Sequence, residues 1–100
     1  LNIYPAEVER ALHEHPAVSQ CAVIGVPDDR WGEAVKAVVV LRKGHGASED
    51  EIIAFCRDSV ASYKKPKSVE FVEELPRNPQ GKILKRVLRE KYWGRRDRRI

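Results

Sequence analysis

The run from Val18 to Val26 most limits what this chain can fold into. Cys21, Ala22, Val23 and Ile24 stand side by side with no polar residue between them, and the run stops at Gly25 and Pro27. A segment of this length and character reads as a buried strand, since a strand with one face in water alternates apolar and polar positions. Val35 to Leu41 is β-branched enough to pair back on it. The residues between, Pro27-Asp28-Asp29-Arg30-Trp31-Gly32-Glu33, carry turn chemistry, so the pair predicts an antiparallel hairpin with a long loop.

Helical patterns supply the cover that such a hairpin needs. Pro5 suits a first helical position, and Glu7 and Glu9 put negative charge where the helix macrodipole favours it. A helix from about Pro5 to Glu14 buries Val8, Ala11 and Leu12 and ends at His15-Pro16, because the residue before proline avoids the α region. Ser48 with Glu51 three residues on is a capping-box signature for a helix through about Ala61, with Ile52, Ile53, Phe55, Cys56 and Val60 as its apolar stripe. Ser68 to Val72 alternates as a third strand with Val69 and Phe71 on one face. Leu75 to Gly81 is too rich in proline and glycine for regular structure, and a last helix runs from about Ile83 to Tyr92, burying Ile83, Leu84, Val87 and Leu88. The predicted fold is a small α+β domain: a three-stranded sheet, hairpin plus one further strand, covered by helices.

One hundred residues make one domain with one modest core. The chain opens on Leu1 and has no methionine, so it is expected to be a piece of a longer protein. It holds no apolar run near the length of a membrane span and no charged-then-apolar leader, which predicts a cytoplasmic protein. Cys21 and Cys56 have no metal-ligand spacing to His13, His15 or His45 and read as reduced packing residues. The formal net charge of +4 is unevenly spread: residues 1–75 hold nine Lys/Arg against thirteen Asp/Glu, residues 76–100 ten against two. Residues 95–100 read as a flexible basic tail, and without them little remains of the basic face with aromatic platforms expected of a nucleic-acid module.

Within that basic quarter, Pro79-Gln80-Gly81-Lys82 sets a lysine after a turn glycine, close to where the last helix is predicted to begin. A cation there opposes the positive end of the helix dipole and calls for an anion. A glycine-hinged loop carrying a lysine can deliver positive charge to a phosphate or to a carboxylate. The histidines form no triad with a nucleophile and an acid, and Gly44-His45-Gly46 lacks the Lys-Ser/Thr of a P-loop.

Five segments in one order then carry a resemblance: Asn2-Ile3-Tyr4-Pro5-Ala6-Glu7-Val8-Glu9, Ala22-Val23-Ile24-Gly25-Val26-Pro27-Asp28, Trp31-Gly32-Glu33, Tyr63-Lys64-Lys65-Pro66, and Leu75-Pro76-Arg77-Asn78 with Gly81-Lys82. Together they cover almost the whole chain, which resembles the C-terminal domain of the adenylate-forming superfamily: acyl-CoA synthetases, adenylation domains of nonribosomal peptide synthetases, and firefly luciferase. The resemblance implies a two-step ligase whose larger N-terminal domain binds ATP, with magnesium, and the carboxylic acid. The acid first forms an acyl-adenylate; the small domain then rotates, and a thiol, usually that of CoA, takes the acyl group as a thioester.

Lys82, with Gly81 before it, matches the family's adenylation lysine. Tyr63, Lys65 and Lys67 match a segment that meets the CoA nucleotide, the aromatic ring on adenine and the cations on phosphates, against the alternative of a solvated basic loop. Asn2 and Ile3 would lie near the pantetheine tunnel, and Trp31 is read as a packing residue. The family's hinge precedes Asn2-Ile3-Tyr4-Pro5, so the chain is expected to fold, to expose a mobile Lys82 loop, and to be inactive alone. Two alternatives stand beside this reading: a free-standing basic module for anions or nucleic acid, and, within the family, a domain that loads a carrier protein instead of CoA.

Overall fold

The apolar run becomes an 11-residue strand, Val18–Asp28 (β1), paired antiparallel with the 10-residue Gly32–Leu41 (β2) from Val18 opposite Leu41 to Asp28 opposite Gly32. The computed structural model describes residues 4–59 and 65–94. Within them, helices Pro5–Leu12 (α1), Glu49–Ser59 (α2) and Lys85–Trp93 (α3) and a short strand Ser68–Phe71 (β3) complete the α+β architecture expected from the sequence. The sheet order is β1-β2-β3, and β3 runs parallel to β2 with Ala37 opposite Val69. A parallel neighbour cannot be reached by a tight turn. Helix α2 lies within the crossover that makes the pairing possible.

The central hairpin is apolar at consecutive positions because both of its faces are covered. Val18, Cys21, Val23, Val35, Ala37 and Val39 meet Val8 and Leu12 of α1 and Ile52 and Cys56 of α2, with Val69 of β3 in the same cluster. Ala22, Ile24, Val26, Ala34, Val38 and Val40 face the other way, onto Leu75, Val72, Ile83, Leu88 and Tyr92. The molecule is thus a sheet with α1 and α2 on one side and α3 with the segment preceding it on the other.

Side chains engage single backbone groups on the free sides of both outer strands. The Val23 N–H on the free side of β1 donates to the Glu9 carboxylate of α1 at 2.8 Å, and the Val69 N–H of β3 donates to Glu49 of α2 at 2.7 Å. Farther along β1, the Gly25 carbonyl accepts the buried indole N–H of Trp93 at 2.8 Å. Glu9 Oε2 also meets Lys85 Nζ at 2.7 Å, so one carboxylate joins α1, β1 and the start of α3. That pair supplies the negative charge missing from the first turn of α3, which contains no acidic residue.

Several boundaries differ from expectation. Helix α1 stops at Leu12, not Glu14, because the last amides turn back three residues, Glu14 N–H to the Ala11 carbonyl and His15 N–H to Leu12. The hairpin loop is short, since Gly32 and Glu33 belong to β2. Helix α3 begins at Lys85, not Ile83: Ile83 bridges to Arg77, and the Leu84 N–H donates to the Pro76 carbonyl. Val69 is buried as expected, while Phe71 at the end of β3 is 37% exposed. The capping box forms as read, with Ser48 N–H on Glu51 Oε1 at 2.8 Å and Glu51 N–H on Ser48 Oγ at 3.1 Å. These bonds, the Ser48 backbone N–H first, lower the Glu51 carboxyl below its ordinary value. The expected end of that helix at Ala61 and the expected tail at 95–100 lie outside the described residues.

Cys21 and Cys56 are free and buried. Burial pushes the Cys21 thiol up to about 12, with the Glu9 charge adding to it, and the Cys56 thiol up to about 11. An unfolded thiol ionises near 9, so the contribution is complete below pH 9 and is lost as pH rises through about 11 and 12. Urea unfolding midpoints are therefore expected to fall between pH 9 and 12, and less so in Cys21→Ala. A thiol-specific reagent should label the folded chain at pH 8 far more slowly than the urea-unfolded chain.

Candidate functional site

Two turns at different places on the sheet share one construction. In the first, Asp28 Oδ1 accepts the N–H groups of Arg30 at 2.8 Å and Trp31 at 3.0 Å, and Gly32 takes φ +81 to enter β2. These bonds, that from Trp31 foremost, lower the Asp28 carboxyl below its ordinary range. In the second, Asn78 Oδ1 accepts the N–H groups of Gln80 at 3.0 Å and Lys82 at 2.9 Å, and Gly81 takes φ +88. Asx residues hold the first position of a turn in this way, and only glycine takes the left-handed step without strain.

The second turn is a small hairpin. Asn78 N–H donates to the Lys82 carbonyl and Gly81 N–H to the Asn78 carbonyl, each at 2.9 Å, below the bridge between Arg77 and Ile83. Proline after Asn78 and glycine closing the turn suit this geometry. As expected, Leu75 to Gly81 belongs to no helix or strand, and within it the prolines and glycine sit where a tight turn wants them. Lys82 is exposed at its base, as expected, but on a loop with paired amides. Its side chain has no hydrogen bond or ion pair to any described residue, whereas neighbouring cations are engaged: Lys85 with Glu9, Arg86 with Glu90 at 3.8 Å, and Lys91 with Glu70.

Trp31 is not a packing residue. It is 60% exposed, because the Asp28 bonds turn its backbone outward at the tip of the hairpin. The Arg30 guanidinium lies 5.1 Å from its ring centroid and Lys67 Nζ 6.0 Å. An exposed indole flanked by two cations offers a flat apolar face beside positive charge, which suits a purine bearing phosphates. A cleft lined by Pro27, Asp29, Lys36, Ser68 and Tyr92 opens beside it. Trp-Gly within a turn was the available signal, since a tryptophan at a loop tip has little to pack against.

Of the other predicted residues, Lys67 is exposed next to Trp31, with its N–H on the Val35 carbonyl at 2.8 Å, and Lys65 is half-buried before the fully buried Pro66. Asn2, Ile3 and Tyr63 lie outside the described residues. The structure thus brings Lys67 to Trp31 and keeps Lys82 apart from them. The Lys82 hairpin reaches β1 at Gln20, to which Arg77 donates at 2.7 Å, whereas Trp31 follows Asp28 at the opposite end of that strand. At the rise of an extended strand, those ends are about 25 Å apart.

A family model for the AMP-binding enzyme C-terminal domain matches residues 7–82. The chain belongs to that family. The AMP-binding C-terminal domain described here is 55% identical, over 91% of its length, to the feruloyl-CoA synthase of an Amycolatopsis species. It is 46% identical, over 99% of its length, to the fatty acid–[acyl-carrier-protein] ligase ScoC of Streptomyces coeruleorubidus. A solved structure of a Mycobacterium tuberculosis fatty acyl CoA synthetase superposes on 92% of the chain with a TM-score of 0.85 and 51% identity. The chain spans 18%, 19% and 18% of these three proteins respectively. Among the described residues no helix is long and apolar enough to cross a membrane.

The two tryptophans should separate surface from core. Trp31→Ala is expected to shift unfolding stability by less than about 0.5 kcal/mol. Trp93→Ala, which removes an 8% exposed indole and its bond to Gly25, should cost about 3–5 kcal/mol. Denaturant melts of the two variants check both values.

Proposed function

We propose that residues 1–100 form the C-terminal swivelling domain of a longer, cytoplasmic, ATP-dependent acid–thiol ligase that makes an acyl-adenylate and then an acyl-CoA thioester. The observation that carries this reading is the placement of Lys82, whose side chain has no partner among the described residues, and of a cation-flanked Trp31 on two separate exposed turns. The two groups stand on separate turns, one tied to β1 at Gln20 and the other following Asp28, so each addresses a different part of the bound substrates. A domain that turns can present them in succession.

In the first pose, Lys82 extends its ammonium to the substrate carboxylate and the phosphate oxygens of ATP. It is a fixed cation that offsets the charge building as the carboxylate attacks phosphorus, not a proton carrier. ATP, magnesium and the acid are held mainly by the larger N-terminal part. In the second pose, Trp31 offers its face to the adenine of CoA, the role the resemblance gives to the ring of Tyr63, while Lys67 and Lys65 meet phosphates. Asn2 and Ile3 fall to the pantetheine path by family resemblance. The exposed indole favours CoA over a carrier-protein thiol, because a carrier protein brings no purine. A free-standing nucleic-acid module fits less well, since three of the six described cations of residues 76–94 are tied to Glu9, Glu70 and Glu90. Relatives of similar identity take feruloyl and fatty acyl groups, so the acid is chosen outside this domain.

In the full-length protein, Lys82→Ala should lower carboxylate-dependent ATP–pyrophosphate exchange by a factor of about 100 or more while sparing thioester formation from a presynthesised acyl-adenylate. Exchange equal to wild type would overturn the role given to Lys82. Trp31→Ala should do the reverse, raising the KM for CoA with exchange intact.

A further inference from the structure

Among the described residues, one side chain hydrogen-bonds the Lys82 hairpin itself to the sheet. Arg77 Nη1 donates to the Gly81 carbonyl, immediately before Lys82, and Nη2 donates at 2.7 Å to Oε1 of Gln20 on β1. The Asn78 bonds fix the shape of the hairpin, but they are internal to it and leave its orientation open. On the far side of Lys82 the corresponding tie is Lys85 to Glu9, whose carboxylate is itself fixed by the Val23 N–H. Lys82 therefore sits between two struts, both ending at β1.

We infer that Arg77 is a positioning residue for Lys82, acting through the Gly81 carbonyl and taking its own anchor from Gln20. The inference rests on the role given to Lys82 above. The guanidinium is suited to the task because its planar fork reaches two acceptors at a fixed angle, which an ammonium on a flexible stem does not. Arg77 is exposed, so its bonds add little to global stability. What they restrict is where the lysine backbone points, and displacement of a charge-stabilising group by about 1 Å can cost a large factor in rate.

The test is steady-state ATP–pyrophosphate exchange in the full-length protein with Arg77→Ala, Arg77→Lys, Gln20→Ala, Gln20→Glu and Lys82→Ala, each also assayed for thioester formation from presynthesised acyl-adenylate and for thermal stability. Arg77→Ala is expected to lower kcat for exchange about tenfold with the KM for ATP nearly unchanged, and to leave the thioester half-reaction and Tm close to wild type. Arg77→Lys should recover little. Gln20→Ala should lose about threefold, Gln20→Glu, which keeps the acceptor, should retain activity, and the Arg77→Ala/Gln20→Ala double variant should be no worse than Arg77→Ala.

Three results would overturn the inference while leaving the role of Lys82 intact. These are wild-type exchange in Arg77→Ala, equal loss of both half-reactions with a lowered Tm, and a silent Gln20→Ala beside a damaged Arg77→Ala, which would make Arg77 a direct ligand. Wild-type exchange in Lys82→Ala would instead remove the reading beneath it.

Discussion

Burial of the β1–β2 hairpin on both faces is the constraint from which the remaining structure follows. A two-stranded ribbon alone is marginal in water, and one that is apolar at successive positions cannot leave either face wet. The chain answers with α1 and α2 on one side and α3, Leu75 and Ile83 on the other. Because α3 must lie across the second face, the segment that leads into it has to cross the sheet near β1. That crossing brings Arg77 to Gln20 and Lys85 to Glu9, and so determines where Lys82 stands.

The two Asx turns show how little chemistry is needed to aim a side chain once the sheet is in place. Asp28 and Asn78 each spend one carboxylate or amide oxygen on two backbone amides, and each turn exits through a glycine at positive φ. The residue just before Gly32 is thrown outward as Trp31, and the residue just after Gly81 as Lys82. Exposure of a large aromatic and of an unpaired cation is normally a cost without return. Here it is imposed by bonds that would have to break for either side chain to retreat.

Much of this was legible in the residues. Six elements in order, the capping box at Ser48 and Glu51, and the burial of Cys21 and Cys56 follow from periodicity, local hydrogen-bonding chemistry and apolar runs. What was hidden depends on pairing across the sequence. Ile83 and Leu84 fit a helical stripe, yet Ile83 pairs with Arg77 and the Leu84 amide returns to Pro76, which delays the helix by a turn's fraction. The alternation of Ser68 to Phe71 is the same for a parallel and an antiparallel neighbour. Trp31 misled because indoles are usually buried, and the two Asp28 bonds that expose it are visible only once the turn is closed. Arg77 stood in a segment that carries the resemblance, but its anchor carried no signal, since Gln20 is 57 residues away.

Glu9 and Glu49 each occupy one outward N–H group, that of Val23 on β1 and that of Val69 on β3, from within the same chain. A three-stranded sheet with open borders would invite a further strand from any neighbour, whether another copy or a half-unfolded chain. At these two points a newcomer would have to displace a charged acceptor, and at Val23 also the Lys85 pair, before its own hydrogen bond could form. Each such point shortens the stretch of open edge on which a foreign strand could be templated.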